Sequence, residues 1–123
     1  MRFGMESVDD VVILVPGRLL AETEALELEL YRLIEEKRTK IVLDLGKTEI
    51  IASPAIKALE RVDIRARESG IILCFCNIDH LAAIPAVFWI IRKFRVYATR
   101  EECLRVLRLA REPVPLTPRR LIS

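Results

Sequence analysis

With four glycines, one histidine and one tryptophan in 123 residues, this chain lacks the raw material of most familiar catalytic sites. The glycines stand singly at 4, 17, 46 and 70, so no glycine-rich phosphate loop can be assembled from neighbouring positions. His80 has no nearby serine or cysteine with which to form a nucleophile pair, and it reads as a polar residue at a helix start. The cysteines, Cys74, Cys76 and Cys103, are odd in number and make a poor disulfide framework. Cys74 and Cys76 share one face of a strand, but two thiolates without further ligands do not complete a zinc site. They read as core residues, and no metal or other cofactor is expected. MRFGMESVDD has no apolar run long enough for a secretory signal, so a reducing cytoplasm is the expected location. Neither sign of charge prevails: 20 basic residues face 18 acidic ones. No basic stripe is set aside for phosphates, which argues against nucleic acid as a main partner.

What the chain has is apolar residues in short, punctuated runs. Hydrophobic residues make up 52% and charged residues 31%, the composition of one folded domain with one core. Residues 71–91, IILCFCNIDHLAAIPAVFWII, are about as long as a membrane span. Asn77, Asp79 and His80 would then lie at mid-bilayer, a costly placement that strand, polar turn and helix avoids. No direct membrane insertion is expected.

Residues 3–8 and 11–16 read as a hairpin turning at Asp9-Asp10. LELELY alternates like a strand, yet it sits in a long run of helix formers, with Leu26, Leu30, Leu33 and Ile34 on one stripe. IVLDL (41–45) and IILCFC (71–76) have the unbroken apolarity of strands covered on both faces. Between them a helix starts near Ser53-Pro54, buries Ala55, Ile56, Leu59, Val62 and Ala66, and ends at Ser69-Gly70 with glycine as its cap. Asn77 and Asp79 can start the next helix, which Pro85 should kink or restart. RVYA (95–98) is a last short strand, and Thr99 to Glu102 has the spacing of a capping box. Cys103, Val106, Leu107 and Ala110 form the stripe that follows. The fold expected is α/β, with a mostly parallel sheet of about five strands, an N-terminal hairpin and four or five helices. Residues 1–111 form the domain, and 112–123, with three of the six prolines, a flexible tail.

Asp44 ends a parallel strand, where open α/β sheets place their sites, but no second carboxylate or base is identifiable beside it, and a structural role is expected. The turn in EIIASPAIKAL (49–59) admits two readings. Ser53 is either a helix cap, its oxygen accepting an N–H from the first turn, or a residue read by a partner.

The segments PGRL, IVLDL and IIASPAIKAL, in this order of elements, resemble the STAS domain family (sulfate transporter and anti-sigma factor antagonist) from about Val11 through the final helix. In that family's regulatory members the turn before the second helix reads Asp-Ser-Ser-Gly-Leu, and a partner kinase, itself the anti-sigma factor, phosphorylates the second serine. Counted from Leu43-Asp44-Leu45, those positions here are Ala52, Ser53, Pro54, Ala55 and Ile56. Proline has no hydroxyl, so the usual acceptor position, 54, cannot be phosphorylated. Only Ser53 remains as an acceptor. The resemblance implies a non-enzymatic, anti-sigma factor antagonist-like module that binds a protein partner through Ile51, Ala52, Ser53, Pro54 and Lys57. The partner is an anti-sigma factor of kinase-like type or, in the alternative, a transporter ATPase served by an accessory subunit; a nucleotide-binding α/β domain is the third class considered. The uncharged run 81–91 points to docking or a homodimer, or else it caps the sheet.

Overall fold

Asp9, in the left-handed region at φ 55°, makes the first tight reversal of the chain. The computed structural model describes residues 3–20, 24–81 and 83–109. In chain order these form β1 (Phe3–Val8), β2 (Val11–Pro16), β3 (Leu19–Leu20), α1 (Glu24–Glu35), β4 (Lys40–Asp44), β5 (Ile50–Ile51) and α2 (Ser53–Glu68). There follow β6 (Ile72–Cys76), a single 3-10 turn (Asp79–Leu81), α3 (Pro85–Lys93), β7 (Arg95–Tyr97) and α4 (Arg100–Leu109). The proposed tail, 112–123, lies outside the described residues, as does Ala110.

Five strands form one sheet in the order β1-β2-β4-β6-β7. β1 pairs antiparallel with β2, and every other pairing in this sheet is parallel. β2, β4 and β6 are buried along their whole length, which explains their unbroken apolar spelling. Strand alternation then divides the core in two. Val12, Leu14, Ile41, Leu43, Leu73 and Phe75 face the stripes of α1, α2 and α3. Val11, Ile13, Val42, Ile72, Cys74 and Cys76 face Cys103 and Leu107 of α4. The expected sheet, hairpin and four helices are therefore present, with three helices on one face and one on the other.

Local chemistry accounts for most element ends. α2 closes in a Schellman motif: Gly70 is at φ 72°, Ile71 N–H reaches Ala66 O at 2.8 Å and Gly70 N–H reaches Arg67 O at 3.2 Å, satisfying last-turn carbonyls. Before α4, Glu102 N–H donates to Thr99 Oγ1 at 3.1 Å, while the Glu102 carboxylate accepts from Ala98 N–H at 2.9 Å. The capping box is thus one residue wider than its usual form. One expectation needs correction. Asn77 and Asp79 start only the 3-10 turn, because Asn77 is itself left-handed at φ 59°; of the two outcomes expected at Pro85 the restart is the one found, the longer helix beginning there, where the missing N–H is harmless. The short parallel pair β3–β5 was not foreseen.

Cys74, Cys76 and Cys103 are buried together under α4. Burial pushes the Cys76 thiol up to about 12, and a hydrogen bond with Cys74 and burial push Cys103 up as well. A thiol held protonated is a poor nucleophile. With a thiol-specific disulfide reagent at pH 8, none of the three should react in the native protein and all three should react in denaturant. Peptide-like reactivity of any one in the folded state would contradict this packing.

Candidate functional site

The loops that leave the C-terminal ends of β4 and β6 are anchored on a single carboxylate. Asp44 Oδ1 accepts from Gly46 N–H and from Asn77 Nδ2, each at 2.9 Å, and Oδ2 accepts from Arg100 Nε at 2.9 Å. Arg100 also donates to Glu6 of β1 at 3.2 Å. Residues 6, 44, 77 and 100 thus join β1, β4, the end of β6 and the first turn of α4. A Cβ at Gly46 would stand 3.0 Å from Asp44 Oδ1, so a larger residue there would press on the carboxylate that holds the turn. Burial disfavours the Asp44 charge, but the bonds from Asn77, Gly46 and Arg100 outweigh it and hold the carboxyl below its usual range. With its oxygens occupied by donors, Asp44 acts as a clamp, and the structural role expected from sequence is the one it has.

Beyond the clamp the chain forms a shelf. β3 and β5 pair in parallel with Leu19 opposite Ile50 and Leu20 opposite Ile51. Leu20 and Ile51 go into the core, while Leu19 and Ile50 are 51% and 50% exposed, side by side. The backbone ties it firmly: Ile50 N–H and Ala52 N–H donate to Arg18 O and Leu20 O at 3.1 and 3.0 Å. Beneath it, buried Thr48 donates to Gly17 O at 3.0 Å, and the Thr48 carbonyl accepts from His80 Nε2 at 2.8 Å. That bond gives His80 a structural task in the turn, consistent with its reading from sequence.

The cap reading of Ser53 needs correction. Ala52 occupies the N-cap position, extended at φ −86° and ψ 152°, and no side chain caps the helix. Ser53 is the first helical residue and Pro54 the second. The cause is tertiary: pairing with β3 keeps the chain extended through Ile51, and the Ala52 carbonyl accepts from Ala55 N–H at 3.0 Å, starting α2 one residue early. Of the five residues singled out from sequence, Ser53, Pro54 and Lys57 are exposed and Ala52 is half-buried. Ser53 and Lys57 lie one turn apart on a common face. Ile51 is only 6% exposed and supports the shelf from below. Leu19 and Ile50 escaped sequence reasoning, because a two-residue ladder between segments thirty residues apart leaves no periodic trace. Among the described residues, no three His, Cys, Asp or Glu side chains converge as a metal site.

A family model described as the STAS domain matches residues 4–103. No curated protein matches the sequence. The fold is similar to that of a candidate anti-sigma factor antagonist from Thermotoga maritima, at 23% identity and a TM-score of 0.71, over 86% of this chain and 94% of that one. It is also similar to the anti-sigma factor antagonist SpoIIAA in its unphosphorylated form, at 16% identity and 0.71, over 89% and 100% of the two chains. An anti-sigma factor antagonist from Mycobacterium paratuberculosis aligns at 20% identity and 0.68, over 87% and 93%.

Replacing Asp44 by Asn removes the charge that Arg100 meets and should cost about 2–3 kcal/mol in denaturant unfolding at pH 7. The pH dependence has a definite sign. The folded-state pKa lies below the ordinary 3.8, so the stabilisation is complete above that value and is lost as pH falls through the lower, folded value. Asp44→Asn should therefore flatten the acid limb of the stability curve. An unchanged limb would show that Asp44 is not clamped as described.

Proposed function

The chain belongs to the STAS domain family, and from that premise we propose that it is a non-enzymatic regulatory module that binds another protein through the shelf at the start of α2. The contact surface comprises Leu19, Ile50, Ala52, Ser53, Pro54 and Lys57, with Ile51 as its buried support. The exposed Leu19–Ile50 pair beside Ser53-Pro54 carries this reading, since adjacent large apolar side chains held in a fixed ladder are a costly surface to leave in water. The shelf is already ordered by backbone hydrogen bonds, so little conformational entropy is lost on docking.

The partner that suits this reading is an anti-sigma factor of kinase-like type, by analogy with the relatives whose names describe them as anti-sigma factor antagonists. Binding is constitutive. Pro54 has no hydroxyl to phosphorylate, and its ring fixes φ near the helical value. A phosphate on the exposed Ser53 is the less favoured version. It would find free N–H groups at a helix N-terminus, yet it would place close to two negative charges on an apolar contact surface. Among the described residues no helix is long and apolar enough to cross a membrane.

Capture of partners from the native host, followed by affinity measurements with the captured protein, tests this directly. Pro54→Arg and Ser53→Asp should each weaken binding about tenfold or more, and Ser53→Ala should leave it near wild type. Binding indifferent to Pro54→Arg would remove the shelf from the interface. Stoichiometric phosphate on Ser53 in the intact mass of the native protein would overturn the constitutive mechanism.

A further inference from the structure

The apolar run flagged in the sequence is divided by α3 into two faces. Val87 and Ile90 are fully buried against the sheet, whereas Phe88, Trp89 and Ile91 are 59%, 50% and 45% exposed. Cations lie over the two rings: the Arg92 guanidinium carbon is 5.4 Å from the centre of Phe88, and Lys93 Nζ is 5.4 Å from that of Trp89. α3 contains no carboxylate. On the adjoining part of α2, Ile64 is exposed, Glu60 pairs with Lys93 at 3.0 Å and Arg67 with Asp63 at 2.8 Å. Arg92 pairs with no described carboxylate. Together α2 and α3 hold six Lys or Arg against three Asp or Glu.

We infer that this face docks on an anionic lipid surface, with Phe88, Trp89 and Ile91 at headgroup depth and Arg92 and Lys93 meeting lipid phosphates. Charge and shape both select this occupant. Aromatic rings with aliphatic neighbours and long cationic side chains on one short helix are the composition of an interfacial helix. Nine residues extend about 13 Å, less than half the thickness of a bilayer's hydrocarbon core, so the helix lies on the surface without crossing it. A second copy of the chain suits the face less well. The three half-exposed side chains offer roughly 300 Å², against the ~800 Å² per partner that a stable pair buries. Pairing α3 with itself would also bring the Arg92 side chains of two copies together, with no carboxylate on α3 to meet them. The face is distinct from the shelf at the start of α2, so either proposal can fail alone.

Trp89 is the only tryptophan in the chain and reports directly on its surroundings. Vesicles of phosphatidylcholine alone, and of phosphatidylcholine with phosphatidylglycerol, should be tested by flotation and by Trp89 emission. Binding to the anionic vesicles at low salt is expected, with a blue shift of Trp89, and should fade at high salt as the phosphates are screened. The double variant Arg92→Glu, Lys93→Glu should lose at least about tenfold in vesicle affinity. Phe88→Ser should weaken binding and reduce the shift while its thermal unfolding stays that of the parent. Should Phe88→Ser fail to fold, the charge variant carries the same reading. No binding to anionic vesicles would overturn the proposal, as would binding that leaves Trp89 emission unmoved. A blue shift that grows with protein concentration without lipid would assign the face to a second copy. A protein partner lost in Phe88→Ser, with no vesicle binding, would assign it to a protein groove.

Discussion

β4 is covered on both faces, so Asp44, its last residue, can keep its charge only if protein groups replace the water it has lost. Those groups come from three directions: the backbone of the next turn, the side chain of Asn77 after β6, and Arg100 at the start of α4. Each donor lies at the end of an element that could otherwise shift along the sheet. Satisfying one carboxylate therefore sets the relative position of the β4–β5 loop, the turn after β6 and α4, and through Glu6 it reaches the edge strand β1. Removing the charge would leave Arg100 partly buried without its main partner, which is why this cluster is costly to disturb.

The shelf inherits its rigidity from that arrangement. The loop leaving Asp44 is held by Thr48 to Gly17 and by His80 to the Thr48 carbonyl, which delivers Ile50 and Ile51 to their places beside Leu19 and Leu20. Two residues of parallel pairing suffice to turn Ile51 inward and Ile50 outward, because side chains alternate along an extended chain. The same extension makes Ala52 the cap and leaves the Ser53 hydroxyl without a capping role. The exposed Leu19–Ile50 pair and a serine without a capping role thus share one origin. Exposed ion pairs nearby, such as Arg18 with Glu49, add little energy but border the apolar pair with charge.

The two faces of the sheet have different characters. α1, α2 and α3 cover the larger core, and the outward sides of α2 and α3 carry the aromatic and basic residues. Among the described residues, α4 alone covers the other face, where three buried thiols pack as small apolar groups. Chemistry that looks reactive in the sequence, a Cys-x-Cys pair and a third cysteine, is thereby made inert by burial.

The identities of the longer strands and helices were legible in the amino-acid order, because burial on both faces demands unbroken apolar strands and burial on one demands helical stripes. IVLDL, IILCFC and the Leu26–Ile34 stripe are such cases, and Gly70 marked the end of α2 because a left-handed residue is needed there. The loss of a hydroxyl at position 54 was equally legible, since it is covalent. What no local pattern could encode was pairing across sequence distance. Arg100 meets Asp44 across 56 residues, and Leu19 meets Ile50 through a ladder only two residues long. Which of Ala52 and Ser53 caps α2 depended on that ladder, and so did the burial of Ile51. The sequence by itself determined the longer strands and helices and the chemistry each could carry. Only the tertiary structure decided which side chains met and which faced water, because both depend on the packing of segments remote along the chain.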